Sequence, residues 1–212
     1  MQKRQLGKSG IEVSAMGFGC WAIGGPTKRR DLDGRISEMG WGDIDDEEAI
    51  CAIHTAIDLG VTLFDTANNY GAGHSEEILG QALVGKRDKV VIATKFGSVF
   101  DAQAKMHIDI DHDESPLNAA FIRDAIEGSL RRLQTDYIDL YQCHRGDYPV
   151  ERAPQIVDIL EALVQEGKIR AYGWSTDYPE RARVFGEGQH GTAVQARLNV
   201  MTDAPETIAL CE

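Results

Sequence analysis

A chain of 212 residues, 42% hydrophobic and 26% charged, has enough apolar side chains for a sizeable globular core, which excludes a disordered or fibrous polypeptide. Its formal net charge of −12 argues against nucleic acid or an anionic membrane surface as partner, because phosphate binding is built on clustered Lys and Arg. Four widely spaced cysteines (Cys20, Cys51, Cys143, Cys211) contain no Cys-x-x-Cys pair, so no zinc knuckle or disulfide framework is signalled and a reducing, cytoplasmic setting fits.

From the N-terminus, "QKRQLGKSGIEVSAMG" has the pattern of a hairpin turning at Lys8-Ser9-Gly10. The longest charge-free stretch, Val13 to Thr27, is too short and glycine-rich to span a membrane, and the N-terminus lacks the apolar stretch of a signal peptide. Ala15–Trp21 is the first of several short apolar runs, and a long loop, Gly24 to Asp43, follows it. Asp45 or Asp46 then caps a helix over "DEEAICAIHTAIDLG" that stops at Gly60. The second run, Val61–Thr66, precedes a helix "EEILGQAL" capped by Ser75; the third, Val90–Phe96, precedes a second long loop, Ser98 to Glu114.

Ser115, with Pro116 at the first helical position, opens "PLNAAFIRDAIEGSLRRL". The runs Tyr137–His144, Ile169–Ser175 and Ala193–Asn199 complete the series, with a helix over "APQIVDILEALVQEG" between the first two of these. Strands alternating with helices point to βαβ units and a parallel α/β sheet. No repeat, linker or composition shift divides the chain, so residues 1–212 are expected to form one domain. Two architectures remain open, a doubly wound sheet or a TIM (β/α)8 barrel lacking its last part, and the position of polar residues decides between them.

Those residues gather at one rim. Asp65 ends "VTLF" with Tyr70 on the loop beyond, Lys95 ends "VVIAT", His144 ends "IDLYQC", Ser175 and Thr176 end "IRAYGW", and Gln195 lies in "AVQARLN". Each alone has a structural explanation as a cap, a solvated charge or a core histidine. Together they describe a chemistry. Tyrosine is a poor acid near neutrality, but an adjacent ammonium such as Lys95 stabilises its phenolate and is expected to lower its pKa. Asp65 would keep that lysine charged and oriented, while His144 would hydrogen-bond a substrate oxygen or the phenol. Such a set suits an oxygen gaining negative charge, as a carbonyl does on accepting hydride.

"FDTANNYGAGHSEEILG", "VVIATKFG", "IDLYQCHR" and "YGWST", in this order, resemble the successive motifs of the aldo-keto reductase superfamily, in a bacterial branch that also carries "GCWAIGG" and "WGDIDDEEAI". The resemblance runs from about Leu6 to the C-terminus. It implies a (β/α)8 barrel and reduction of aldehydes and ketones by NADPH, with a catalytic tetrad of Asp65, Tyr70, Lys95 and His144. It further implies that Ser175, Thr176 and Gln195 hold the nicotinamide carboxamide, with Gly19, Cys20, Trp21 and Asp65 lining the cofactor cleft. Trp41, Tyr70, His144 and Arg145 would face a small carbonyl substrate. Two positions depart from the family pattern: Thr176 stands where Asn is common, and Leu198 where an aromatic often stacks on the nicotinamide.

"GEGQHG", Gly186 to Gly191, imitates a dinucleotide fingerprint but follows a helix and leads into a strand, so it reads as an αβ loop. "HIDIDHDE", His107 to Glu114, matches no metal-ligand spacing, and no metal is expected. A barrel of this kind needs about 250 residues, so two βα units are expected to be missing. That leaves open a fragment of a longer product, a truncated gene product, or a half-open barrel that associates as a homo-oligomer. The activity then divides into two readings: an NADPH-dependent carbonyl reductase, or a non-catalytic barrel or cofactor-sensing interaction module.

Overall fold

Continuous apolar runs in the middle of the chain demand strands covered on both faces, and the structure provides that cover. A computed structural model describes residues 1–111, 117–146 and 148–211. In chain order the elements are β1 (Lys3–Gln5), β2 (Glu12–Ser14), β3 (Gly17–Gly19), β4 (Thr27–Arg30), β5 (Ile36–Met39), α1 (Asp46–Asp58), β6 (Leu63–Asp65), α2 (His74–Ala82), β7 (Val91–Phe96), β8 (Val99–Asp101) and β9 (Met106–Ile108). They continue with α3 (Ala119–Leu133), β10 (Ile138–Cys143), α4 (Ala153–Gln165), β11 (Ile169–Ser175), α5 (Pro179–Gly186), β12 (Gly191–Gln195) and α6 (Pro205–Cys211).

The main sheet has the order β3-β6-β7-β10-β11-β12, with every neighbouring pair parallel. Spatial order equals chain order, the arrangement of a (β/α)8 barrel opened along one side, and excludes the doubly wound alternative. Every residue of β7 and of β10 is buried. Ile53, Ile78, Ile122, Ile126 and Leu160 from the helices pack on the outer face of this sheet. On the inner face, Ile11 and Val13 of the N-terminal hairpin pack with Val91, Ala93, Leu140 and Ala171, so the hairpin floors the half-barrel. Its turn closes through Gly10 at φ +70°, a backbone value that glycine adopts without steric cost. Lys8 Nζ donates to the carbonyls of Gly186 (2.9 Å) and Gly188 (2.7 Å), fastening the hairpin to the connection between α5 and β12.

The helix starts follow local chemistry, with two corrections. Asp45 caps α1, its Oδ1 accepting from the amides of Glu47 (2.9 Å) and Glu48 (3.0 Å), and Gly60 at φ +89° follows the helix. Ser75 does not cap α2: the helix begins at His74 after Gly73, and Ser75 points inward from the first turn. Ser115 and Pro116 lie outside the described residues; α3 begins at Ala119, where Asn118 Oδ1 accepts from the Phe121 amide at 3.0 Å. Leu117 is not helical, so the expected helical span is shortened at its start.

The two segments expected as long loops each carry a pair of short strands. β4, β5, β8 and β9 form a separate sheet of order β5-β4-β9-β8, in which Lys28 of β4 pairs in parallel with Met106 of β9. The last strand is also displaced: it covers Gly191–Gln195 rather than Ala193–Asn199, and the chain leaves the sheet where the Arg197 amide donates to Asp177 Oδ1 at 2.7 Å. "GEGQHG" does connect α5 to β12; a Cβ on Gly191 would sit 1.7 Å from the Phe185 carbonyl oxygen, so glycine is required there. No helix among the described residues is long and apolar enough to cross a membrane.

Candidate active site

Because β6, β7 and β10 are neighbours in one parallel sheet, their C-terminal ends share a rim, and the side chains they carry converge. Asp65 is the last residue of β6 and pairs in register with Ala93 of β7; Lys95 lies two residues further along β7, on the same face as Ala93. Lys95 Nζ donates to both carboxylate oxygens of Asp65 (2.9 and 2.8 Å), to the carbonyl of Thr66 (2.8 Å) and to the Tyr70 hydroxyl (3.4 Å). Its three N–H groups thus all have acceptors, which a lysine side chain only 1% exposed requires. His144 follows β10, its amide donating to the Phe96 carbonyl at 2.7 Å, and its ring stands edge-on to Tyr70 with centroids 5.8 Å apart.

Tyr70 is delivered by an unusual turn. Gly71 (φ +62°), Ala72 (φ +55°) and Gly73 (φ +104°) are all left-handed, which reverses the chain between Tyr70 and α2. Gly71 packs backbone to backbone on Gly24, and a Cβ on it would lie 2.1 Å from the Gly24 carbonyl oxygen. Trp21, on the segment leading to Gly24, faces Tyr70 with ring centroids 6.1 Å apart, and Trp41 stands edge-on to Trp21 at 5.5 Å.

The electrostatics correct one expectation. The Tyr70 hydroxyl is pushed up from the ordinary phenol range, first by burial and then by the Asp65 carboxylate and Cys20. The Lys95 ammonium, paired with Asp65, does not outweigh these effects. Burial displaces Lys95 downward against the opposing pull of Asp65. His144 is lowered to about 3 by burial, with Lys95 and His107 adding to the shift, so its imidazole is neutral near pH 7. Cys20 is pushed well up, chiefly by burial, and is a neutral thiol. The rim therefore holds one carboxylate–ammonium pair, a protonated phenol and a neutral imidazole.

The remaining expected residues fall in two places. Ser175, Thr176 and Gln195 line, with Tyr70 and Lys95, a cleft of about 530 Å³. Gln195 Nε2 donates to Asp65 Oδ2 (3.2 Å), and its Oε1 accepts from Gln142 Nε2 (3.2 Å). Thr176 does not offer a free hydroxyl, since its Oγ1 donates to the Gly146 carbonyl (2.7 Å) and accepts from the Tyr178 amide (3.2 Å). Gly19 pairs with Asp65 across β3 and β6, and the Cys20 amide donates to the Asp65 carbonyl at 2.8 Å. His144 and Arg145 line a second cavity of about 460 Å³ with Arg29, Asn69, Ser98 and Asp109, walled by the small sheet. Trp41 is 68% exposed, and Leu198 is exposed as well. Among the described residues no group of three or more His, Cys, Asp or Glu is placed to hold a metal ion; His112, Asp113 and Glu114 lie outside them.

The donors lining the 530 Å³ cleft fit a nicotinamide nucleotide in part. The cleft opens directly onto Tyr70 and Lys95, and Ser175 and the Gln195 amide suit a carboxamide, whereas Thr176 is committed elsewhere. Sequence reasoning missed Gln142, a polar residue inside the buried strand "IDLYQC", and also the buried Thr66 and Ser75 behind the rim. A glutamine in an otherwise apolar buried strand was a signal; Ser75 was masked by its fitness as a helix cap.

Residues 15–212 match the profile of the Aldo/keto reductase family. Aldo-keto reductase YhdN of Bacillus subtilis is 39% identical over 191 residues, covering 87% of this chain and 50% of that protein. The NADH-specific methylglyoxal reductase of Escherichia coli is 34% identical over 219 residues, covering 100% of this chain and 64% of that protein. Among solved structures, the glycerol dehydrogenase of Gluconobacter oxydans superposes with a TM-score of 0.71 at 37% identity, over 91% of this chain and 54% of that one. An aldo-keto reductase of Klebsiella pneumoniae solved in complex with NADPH gives 0.63 at 32% identity, over 90% and 56%. The chain thus spans between half and two thirds of the length of these curated relatives. With its profile match, its half-barrel and the order of its strands, this chain belongs to the aldo/keto reductase family of oxidoreductases.

Proposed function

We propose that this protein reduces aldehyde and ketone carbonyls to alcohols, with residues 1–212 as one incomplete barrel domain and Tyr70 as proton donor. The observation that carries the reading is the Lys95 ammonium, held by both Asp65 oxygens and the Thr66 carbonyl and also donating to the Tyr70 hydroxyl at 3.4 Å. A nicotinamide nucleotide bound in the cleft would supply hydride to the carbonyl carbon. NADPH is the nucleotide we infer, as in the K. pneumoniae complex; the E. coli relative's name specifies NADH, so both are to be titrated.

As the carbonyl oxygen gains charge, Tyr70 donates its proton to it. A phenol with a raised pKa still serves, because an alkoxide is far more basic than a phenolate. The phenolate left behind faces the Lys95 ammonium, which donates to that oxygen from 3.4 Å and is itself held by Asp65. Neutral His144, edge-on to Tyr70, orients the substrate oxygen by hydrogen bonding without competing as an acid. Ser175 and Gln195 hold the carboxamide, Trp21 flanks the cofactor, and Trp41 and Arg145 border the substrate.

The test is NADPH oxidation at 340 nm with small aldehydes and ketones. Tyr70→Phe should lower kcat by about 10²–10⁴-fold while nucleotide binding is retained. Nucleotide binding without turnover of any carbonyl would favour the cofactor-sensing alternative.

A further inference from the structure

We propose that Thr66 and Ser75 are positioning residues that set the rotation of the Lys95 ammonium through a buried hydroxyl clamp. Ser75 Oγ donates to the Cys20 carbonyl at 2.6 Å, which uses its only proton. At the 2.9 Å contact between the two hydroxyls Ser75 must therefore accept, and Thr66 Oγ1 donates. One serine in the first turn of α2 thereby ties together the ends of β3 and β6. Cys20, Thr66 and Ser75 are all fully buried, so no water competes for these bonds.

The consequence reaches the tetrad through the backbone. The Thr66 carbonyl takes one N–H of Lys95 (2.8 Å) and the Thr66 amide donates to the Ala93 carbonyl (2.8 Å). With one N–H on the Thr66 carbonyl and one on Asp65, the third lies between the second Asp65 oxygen and the Tyr70 hydroxyl. Cys20 closes the loop, its amide holding the Asp65 carbonyl while its own carbonyl is held by Ser75. Without the Thr66 hydroxyl the segment after β6 loses this tie to α2, and the Thr66 carbonyl that accepts from the lysine is held less firmly.

This inference rests on the reading of Tyr70 as proton donor, and the experiment separates the two. Thr66→Val is nearly isosteric and deletes the hydroxyl; Thr66→Ser retains it. In protein carrying ¹⁵N-labelled lysine, the Nζ signal of Lys95 is identified by its loss in Lys95→Arg, and its proton exchange is measured beside kcat and KM. Thr66→Val should lower kcat about 10–100-fold with KM changed less than about threefold. Lys95 Nζ exchange should accelerate by about tenfold or more, and Thr66→Ser should restore both. If Thr66→Val does not fold, Ser75→Ala provides the same comparison. Unchanged exchange in the hydroxyl-deleted variant, or Thr66→Ser behaving like Thr66→Val, overturns the clamp. A wild-type protein that binds nucleotide yet turns over no carbonyl overturns the reductase reading instead, and the exchange rates still decide the clamp.

Discussion

Gln195, at the end of the sixth strand of the half-barrel, donates its amide to the carboxylate of Asp65, which lies 130 residues earlier at the end of the second, at 3.2 Å. The bond spans the open mouth of the sheet and places a carboxamide-binding candidate against the group that anchors Lys95. Gln195→Leu should weaken NADPH binding by about three- to tenfold, the loss expected for one hydrogen bond. Quenching of tryptophan fluorescence on nucleotide titration measures it, since Trp21 stands 6.1 Å, ring centroid to ring centroid, from Tyr70 of the cleft. Unchanged affinity would remove Gln195 from the cofactor site.

Gly71 is expected to be indispensable to the position of Tyr70. An alanine there would adopt φ +62° and drive its Cβ to 2.1 Å from the Gly24 carbonyl oxygen, so more than the about 1–2 kcal/mol of left-handed strain should be lost. Gly10→Ala is the control: φ is +70° but nothing lies within 4 Å of its Cβ. Thermal unfolding should show a small loss for Gly10→Ala with full activity, and a larger loss with impaired kcat for Gly71→Ala.

His144 predicts an acid-side instability. Its folded pKa, about 3, lies below the ordinary 6.5, so the unfolded chain binds the proton more tightly. Stability associated with neutral His144 is therefore complete above pH 6.5 and falls as the pH drops toward 3. The slope is at most about 1.4 kcal/mol per pH unit. Urea midpoints at pH 7 and pH 5 should separate more for the wild type than for His144→Gln; parallel shifts would show that another group titrates.

A buried ion pair supports the helices behind the site. Glu76 is fully buried, accepting from Thr94 Oγ1 at 2.6 Å and from Arg132 Nε at 2.8 Å. Arg132→Met would leave that carboxylate uncompensated and should cost about 3–5 kcal/mol in denaturant unfolding. Replacing both partners by apolar residues, as Glu76→Leu with Arg132→Met, should recover part of the loss.

Much of this was legible in the sequence because strand ends carry chemistry. Asp65, Lys95 and His144 each terminate an apolar run, and β11 covers Ile169–Ser175 as its pattern predicted. The small sheet was hidden because its strands are short and, in β4 and β5, mostly exposed, and it depends on pairing Lys28 with Met106, which no local periodicity records. Ser75 misled because a serine before Glu-Glu suits a helix cap as well as an inward clamp. The direction of the Tyr70 shift was also out of reach: residue types announce the ammonium, but only the fold shows that Asp65 neutralises it and that burial prevails.

The clasp between Lys8 and the Gly186 and Gly188 carbonyls joins residues 178 and 180 positions apart. Synthesis from the N-terminus sets Lys8 down well before Gly186 and Gly188, so the clasp must wait for them. Ile11 and Val13 take their cover from Val91, Ala93, Leu140 and Ala171, all earlier in the chain than the clasp, and that closing contact is among the most non-local of those described, the kind that slows folding. The floor of the half-barrel is therefore laid before it is fastened, and refolding should be limited by that final fastening.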